Sequence, residues 1–315
     1  MIKTANLKVG HATDEKHHTG CTVFLCPPET VAGVDIRGMA PESRETALLD
    51  PIKSVPFVHA IMLTGGSAFG LATADEVMRY LHERNIGHWT PVTPVPIVPT
   101  AVVYDLFMHD GTQMPTSEMG YAACADADRP KARLAQGCVG AGAGVTVGKW
   151  FGKIENFMKS GIGFAHHMVG EAEVFAAAVV NAVGDVVNAD GSILAGARNH
   201  HTGEWIAADN PLRVVIDRWK QPTMTNTTLV LVATTAQLSK VEANRLAQRA
   251  HDGFAQAIQP VHTMHDGDAA FALSTGKVTG VPFDAVANTA VYCVAEAIRN
   301  GARHAKSANG LPGLA

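Results

Sequence analysis

The chain has 315 residues, a formal net charge of −4 at pH 7 and only 17% charged residues. This length is sufficient for one large domain or two ordinary ones with a well-buried core. The low charge and the lack of a basic, aromatic-rich stripe in the sequence argue against a nucleic-acid partner.

The N-terminal residues and the cysteines predict where the protein is located. No apolar segment lies close behind the initiator methionine, and no apolar run is long enough to span a bilayer, so we expect neither a signal peptide nor a membrane span. The five cysteines are scattered without CxxC spacing, which favours reduced thiols in the cytoplasm over disulfides or a zinc site. The abundance of glycine and alanine favours an oligomer.

Apolar runs and amphipathic patterns alternate along the chain. Short apolar runs predict strands at residues 21–26, 59–63, 173–180, 213–216, 229–233 and 269–273. Helical spacing predicts helices at residues 69–83, at 239–258 with Ser239 as N-cap, and at 284–300 between a cap at Asp284 and a stop at Gly301. Prolines within residues 90–106 predict an extended segment leading into a short strand that ends at Tyr104. Mixed elements without strict βαβ alternation or a linker predict one α+β domain, with helices covering a pair of sheets.

Two glycine-rich segments resemble phosphate loops but fail the detailed patterns. "LTGGSAFGL" lacks the GK[ST] of a P-loop, and Phe69 stands where a nucleophile elbow around Ser67 needs glycine. "GCVGAGAGVTVGKW" has Val145 where a dinucleotide fingerprint needs its last glycine. We interpret both as tight turns and close packing, and Lys149 as either a buried cation near a site or a solvated residue.

The segment "VHTMHDGDAAF" concentrates polar chemistry before a predicted strand. His262, His265, Asp266 and Asp268 could be metal ligands, which defines one alternative, a metal-dependent hydrolase. The plainer interpretation is an Asp-Gly turn, and two carboxylates around a glycine also suit acid–base or orienting work.

The segment "TNTTLVLVATT" places a polar cluster at the mouth of a core strand. From these residues alone, Asn226 to Thr228 is a polar strand start, since threonine favours strands. A second interpretation is chemical: a threonine hydroxyl becomes a nucleophile when a cut before it frees its own α-amine as the base. An α-amine titrates near pH 7.7–8.0, so much of it is neutral at working pH.

Several motifs, taken together and in order, resemble one family. They are "VGHATD", "TGCTVFLCP", "LTGGSAFGL", "VPIVPTAVVYDL", "GAGAGVTVGKW", "NAVGDVV", "TNTTLVLVATTAQLSKVE" and "HDGDAAFALSTG". The chain resembles the self-processing L-aminopeptidase/D-esterase (DmpA-like) family over nearly its whole length. That family includes β-aminopeptidases and nylon-oligomer hydrolases.

The resemblance implies a fold and a set of site residues. The fold would be a four-layer αββα sandwich, like N-terminal-nucleophile hydrolases but with different connectivity. The precursor would cut itself between Asn226 and Thr227 into chains 1–226 and 227–315 and assemble as a homotetramer. Thr227 would be the nucleophile, and the helper pair Asp266 and Asp268 matches the nylon-oligomer branch. Asn181 and Tyr104 match positions used around the oxyanion, and Lys149 matches a site lysine of that branch.

The implied activity is hydrolysis of peptide or linear oligoamide bonds, such as those of 6-aminohexanoate oligomers, without a cofactor or metal. Three alternatives stay open: an aminopeptidase acting on small N-terminal residues, the metal-dependent hydrolase described above, and a catalytically silent oligomer that keeps the fold. His265 has no role in the family pattern.

Overall fold

The structure is a computed structural model that describes residues 3–109, 111–130, 134–151, 154–206 and 226–315. Its strands, in chain order, are β1 (Lys8–Asp14), β2 (Thr19–Leu25), β3 (Val31–Ile36), β4 (Ser43–Arg44), β5 (Ala60–Thr64), β6 (Thr100–Val102), β7 (Thr146–Val147), β8 (Met158–Lys159), β9 (Ile162–Val169), β10 (Ala172–Asn181), β11 (Asp185–Val187), β12 (Ile193–Ala195), β13 (Thr227–Ala236), β14 (Ile258–Gln259) and β15 (Ala269–Val278). The α-helices are α1 (Thr73–His82), α2 (Ser117–Ala127), α3 (Lys240–Ala257) and α4 (Phe283–Arg303).

Two five-stranded sheets lie in the middle of the described structure. One has the strand order β1-β2-β5-β6-β4, and the other has the order β3-β15-β13-β10-β9. Helices α1 and α2 cover the outer face of the first sheet, and α3 and α4 cover the outer face of the second. The result is the predicted four-layer αββα sandwich, which confirms the fold class.

The alternation of side chains along the central strands explains why these strands are apolar throughout. In β10, Val174 and Ala176 pack beneath α3 and α4, whereas Phe175 and Ala177 face the opposite sheet. A strand buried on both faces needs apolar residues at every position, not at alternate ones. The continuous apolar runs of the sequence therefore mark the centre of the second sheet.

Most of the predicted strands are confirmed, with bounds shifted by a few residues. The runs at 21–26, 59–63, 173–180, 229–233 and 269–273 correspond to β2, β5, β10, β13 and β15. The strand predicted to end at Tyr104 is β6, which ends at Val102. The predicted strand at 213–216 lies outside the described residues.

The predicted helices form, but several of their predicted boundaries differ, and α1 begins only at Thr73, after a 3₁₀ turn at Ser67–Ala72. Ser239 caps α3 in a full capping box, accepting a hydrogen bond from the Glu242 backbone N–H. Helix α4, by contrast, is capped by Pro282 and runs through Gly301 to Arg303. Gly301 is small because it packs against the carbonyl of Gly161, not because the helix stops there. None of the helices in the described ranges has the length and apolar character that a membrane span needs.

The segment at 137–150 is packed tightly, as its glycines predict. It forms a short 3₁₀ turn at Gly140–Gly142 and the strand β7. A side chain on Gly142 would collide with the backbone of Ile162. This packing carries Lys149 into the interior, where it is only 2% exposed.

Candidate active site

The ends of three neighbouring strands of the second sheet converge on Thr227. Thr227 begins β13 and lies directly opposite Asn181, the last residue of β10. On the other side, β15 runs parallel to β13, and Asn226 pairs with Asp266 in an isolated bridge just before both strands. The parallel pairing therefore places Asp266 and Asp268, which precede β15, beside the start of β13.

Two donors meet at the Asn226 carbonyl. The Thr227 hydroxyl donates to this oxygen at 2.6 Å, and the Gly267 backbone N–H donates to it at 2.7 Å. Gly267 must be small here, because a Cβ would lie 2.5 Å from the Ala40 carbonyl and 2.7 Å from Thr227 Oγ1. The Thr227 hydroxyl and the Gly267 N–H thus both point at the Asn226 carbonyl and polarise it.

Asp266 is a buried carboxylate held by its own loop. Its Oδ2 accepts from the Thr263 backbone N–H at 2.8 Å and from the Thr263 hydroxyl at 2.7 Å. Its Oδ1 lies 3.4 Å from the Val183 backbone N–H. Burial, followed by the negative charge of Asp268, raises the pKa of Asp266 to about 6. Asp266 can therefore exchange a proton near neutral pH.

Asp268 connects the start of β13 to a histidine. Its Oδ1 accepts from the Thr228 backbone N–H at 2.6 Å, and its Oδ2 lies 2.8 Å from His262 Nδ1. Asp268 is only 1% exposed, so its carboxylate makes both contacts away from solvent. Asp268 is therefore fixed within one residue of Thr227.

Lys149, Asn181 and Tyr104 form a second group beside Thr227. Lys149 Nζ donates to Asn181 Oδ1 at 2.6 Å and to the Asn181 carbonyl at 3.0 Å. The Asn181 amide N–H donates in turn to the Tyr104 carbonyl at 2.9 Å. Tyr104 is thus tied to the site by its backbone oxygen. Lys149 sets the orientation of the Asn181 amide, whose second N–H remains for another acceptor.

The buried ammonium of Lys149 has an unusual environment. Burial lowers the pKa of Lys149 well below its usual value, and the negative charge of Asp266 opposes this effect. Lys149 Nζ also lies 5.8 Å from the centre of the Phe107 ring. A lysine whose neutral form is favoured therefore interacts electrostatically with a carboxylate whose protonated form is favoured.

The four residues proposed as metal ligands do not form a metal site. In the ranges that the structure covers, no group of three His, Cys, Asp or Glu side chains has a metal-binding arrangement. Asp266 accepts from Thr263, Asp268 pairs with His262, and His265 contributes its backbone carbonyl to the Asn226 N–H at 3.1 Å. The geometry thus favours carboxylates that orient protein groups over carboxylates that hold an ion.

Several residues that build the site carry no separate signal in the sequence. His262 stands out there only as a metal candidate, and Thr263 and Gly267 only as parts of a turn. His251, which contacts His262, comes from the middle of α3 and has no motif around it. Thr228 Oγ1 is buried and has no hydrogen-bond partner within the described part of the chain.

Two cavities of the described structure lie away from Thr227. One of about 610 Å³ is lined by Arg198, His200 and residues 307–312, and another of about 520 Å³ lies beside Asp14 and His304. Thr227 itself is 5% exposed. Thr227 therefore lies in a closed environment in this structure.

Comparison with known proteins defines the class. The family model of Peptidase family S58 matches residues 4–314, so the chain belongs to this peptidase family. Uncharacterized aminopeptidases of Mycobacterium bovis and Mycobacterium tuberculosis are each 41% identical, over 93% of this chain and 88% of theirs. A 6-aminohexanoate-oligomer endohydrolase of Paenarthrobacter ureafaciens is 30% identical, over 86% of this chain and 74% of its own.

Solved structures share the fold at low sequence identity. The L-aminopeptidase D-Ala-esterase/amidase of Ochrobactrum anthropi, described as a new variant of the Ntn-hydrolase fold, superposes with a TM-score of 0.71 at 19% identity, over 99% of this chain and 90% of that one. A β-aminopeptidase of Burkholderia sp. gives 0.68 at 20% identity, over 100% and 92%. Family and fold together make this chain an amide or peptide hydrolase.

Proposed function

We propose that the protein is a self-processing amide hydrolase whose nucleophile is Thr227, freed by a cut between Asn226 and Thr227. The observation that carries the proposal is the pair of donors at the Asn226 carbonyl, the Thr227 hydroxyl and the Gly267 N–H. No metal or cofactor takes part in the proposed steps.

Self-cleavage would begin with attack of Thr227 Oγ1 on the Asn226 carbonyl carbon. The negative charge that develops on the Asn226 oxygen is stabilised by the Gly267 N–H, which already points at it. The C–N bond then breaks, the hydroxyl proton passes to the departing nitrogen, and an ester joins the two residues. Water hydrolyses this ester, which leaves a carboxylate on Asn226 and a free amine and hydroxyl on Thr227.

The mature site would use the same hydroxyl on a substrate amide. The Thr227 amine takes the hydroxyl proton as the oxygen attacks, and later returns it to the leaving amine. An acyl-enzyme forms and water releases it. Asp268, bonded to the next backbone N–H, and Asp266 would orient the new amine. The second N–H of Asn181, whose amide Lys149 holds in place, would bind the oxyanion.

The cut itself would open the site. In the uncut chain Thr227 is nearly buried and its hydroxyl is bonded to the preceding carbonyl. Separation of Asn226 from Thr227 removes that partner and vacates the position that a substrate carbonyl would occupy. Activity towards external amides should therefore appear only after processing.

The test of the nucleophile uses two substitutions at one position. Thr227→Ala should remain one chain and hydrolyse no amide, whereas Thr227→Ser keeps a hydroxyl and should still cut. Persistent amide hydrolysis by Thr227→Ala would exclude this mechanism. Loss of activity of the wild-type enzyme after exhaustive chelation would favour the metal-dependent alternative.

We propose peptide or linear oligoamide substrates, with 6-aminohexanoate oligomers as one candidate. The relative that acts on these oligomers and the Asp266–Asp268 pair support this choice, whereas the mycobacterial relatives support an aminopeptidase. Rates measured side by side on a short peptide amide, a β-peptide and an aminohexanoate oligomer would separate the two. A preference for α-peptides of more than about tenfold, about 1.4 kcal/mol, would favour the aminopeptidase.

We also propose a homotetramer located in the cytoplasm. The small-residue composition supports subunit contacts, and the thiols of Cys21, Cys124 and Cys293 are free and buried. Light scattering coupled to size-exclusion chromatography tests the assembly, and a monomer at working concentration would contradict it.

A further inference from the structure

A line of hydrogen bonds leads from Asp268 away from Thr227 and into the second helical layer. Asp268 Oδ2 lies 2.8 Å from His262 Nδ1, and His262 Nε2 lies 3.1 Å from His251 Nδ1. The far nitrogen of His251, Nε2, lies 3.1 Å from the carbonyl oxygen of Asp35 and 3.2 Å from its carboxylate. Two histidines therefore connect a carboxylate of the site to β3.

The positions of the protons follow from the groups at the two ends. Both atoms that face His251 Nε2 belong to Asp35 and only accept, so this nitrogen carries a hydrogen. Burial lowers the pKa of His251 to about 4, which leaves the ring neutral at pH 7 with Nδ1 as an acceptor. His262 must then donate through Nε2 to His251, and its Nδ1 faces the carboxylate of Asp268. The 2.8 Å contact between His262 Nδ1 and Asp268 Oδ2 likewise requires one hydrogen between these two atoms.

The backbone at His262 shows how the ring reaches this place. His262 has φ of +54°, a left-handed conformation that few residues other than glycine adopt. Its ring packs beside Phe254 at 5.3 Å and beside His251 at 4.7 Å between ring centres. Its side chain is 17% exposed, so one edge stays near solvent while the other meets the buried carboxylate.

We propose that His262 is a positioning residue that holds the Asp268 carboxylate beside the Thr227–Thr228 backbone, with His251 and Asp35 fixing the ring from behind. The inference rests on the proposed function, because it takes Asp268 as the group that orients the Thr227 amine. Asp268 has two polar contacts that fix it, the Thr228 N–H and His262. Loss of His262 would leave a buried carboxylate oxygen unbonded and free to turn.

The charged groups around this line come from four elements. Asp35 and Arg37 face His251 from β3 and the residue after it, and Asp268 faces His262 from the loop before β15. Asp266 on the same loop and Lys149 after β7 also interact electrostatically with Asp268. His262 therefore contacts the Asp268 carboxylate directly, whereas Lys149 acts on it through its charge.

Kinetics of two variants at His262 test the role. His262→Ala should lower kcat by about 10- to 100-fold with KM nearly unchanged, the usual range for loss of a partner that orients a site residue. His262→Asn places an amide N–H where Nδ1 was, so it should recover most of the lost kcat. A kcat for His262→Ala within about twofold of wild type would overturn the proposal, as would equal losses in both variants.

A matched control removes a histidine–aspartate pair of the same length elsewhere. His17 Nδ1 lies 2.8 Å from Asp14 Oδ2 on the surface. His17→Ala should leave kcat, KM and the pH profile of kcat unchanged, whereas His262→Ala should shift the acidic side of that profile. Identical pH profiles for His262→Ala and wild type would argue against the role.

Nitrogen-15 spectra of the histidine rings give a readout that does not depend on activity. At pH 7, His262 should show a hydrogen on Nε2 and His251 a hydrogen on Nε2 alone; a His262 ring without hydrogen on Nε2 would refute the proton assignment. The proposed function fails separately, if Thr227→Ala retains activity. A silent Thr227→Ala with an unimpaired His262→Ala refutes only the role of His262.

Discussion

Gly267→Ala should slow self-cleavage because it crowds the junction directly. The added methyl group would lie 2.7 Å from Thr227 Oγ1 and 2.5 Å from the Ala40 carbonyl. Since non-bonded atoms settle near 3.5 Å, the hydroxyl or the 266–268 loop must move by about 1 Å. The same movement lengthens the Gly267 N–H contact to the Asn226 carbonyl, now 2.7 Å. A misplacement of about 1 Å costs about 100-fold in rate, or about 3 kcal/mol of activation free energy.

The assay follows the fraction of uncut chain on denaturing gels after a short pulse of expression, with thermal unfolding of each protein measured in parallel. Gly280→Ala is the matched control, because Gly280 has φ of +76° and no atom within 4 Å of an added Cβ. It costs about 1 kcal/mol of backbone strain without crowding the junction. If the Gly267→Ala variant cuts as fast as the Gly280→Ala control, the proposed role of the Gly267 contact at the Asn226 carbonyl is refuted.

The buried ionisable groups give three further predictions. Activity should fall as the pH drops through about 6, where Asp266 gains its proton, and a pH–rate profile of Asp266→Asn should show a much lower kcat without this limb. Lys149→Met should lower kcat/KM by about 100-fold or more, because Asn181 loses its main orienting donor. Lys159→Met removes a buried lysine that donates to the carbonyls of Ala143 and Val145, so it should lower the melting temperature and leave kcat/KM unchanged. Burial raises the pKa of Asp185 to about 7, so between about pH 4 and pH 7 the folded state holds a proton that the unfolded chain has released. The free energy of unfolding should therefore fall by up to about 1.4 kcal/mol per pH unit across this range. Melting temperatures of Asp185→Asn should not show this slope.

The layers of the fold could be predicted because local pattern and global packing agree. The run at 229–233 is apolar on both faces, and the structure uses both, one towards α3 and α4 and one towards the other sheet. Ser239 and Glu242 are close in sequence, so the cap they form is visible without the structure. The predicted helix stop at Gly301 was wrong because this position needs a glycine for its close contact with Gly161, which is distant in sequence.

The site was predicted through the motifs of a family, not through the residues alone. Asn226 to Thr228 has the pattern of an ordinary strand start, and only the parallel pairing with β15 brings Asp266 and Asp268 to it. Burial of Lys149 depends on tight packing around β7, and contact between His251 and His262 depends on how α3 lies on the sheet. Contacts of this kind join distant segments, so no local pattern predicts them.

The mass of the purified wild-type protein under denaturing conditions tests the central claim most directly. We expect two species in equal amounts, residues 1–226 and residues 227–315, the second beginning with Thr227. Thr227→Ala, prepared in parallel, should give the single mass of the 315-residue chain. A wild-type protein that hydrolyses amides while showing only the full-length mass would contradict the proposed mechanism.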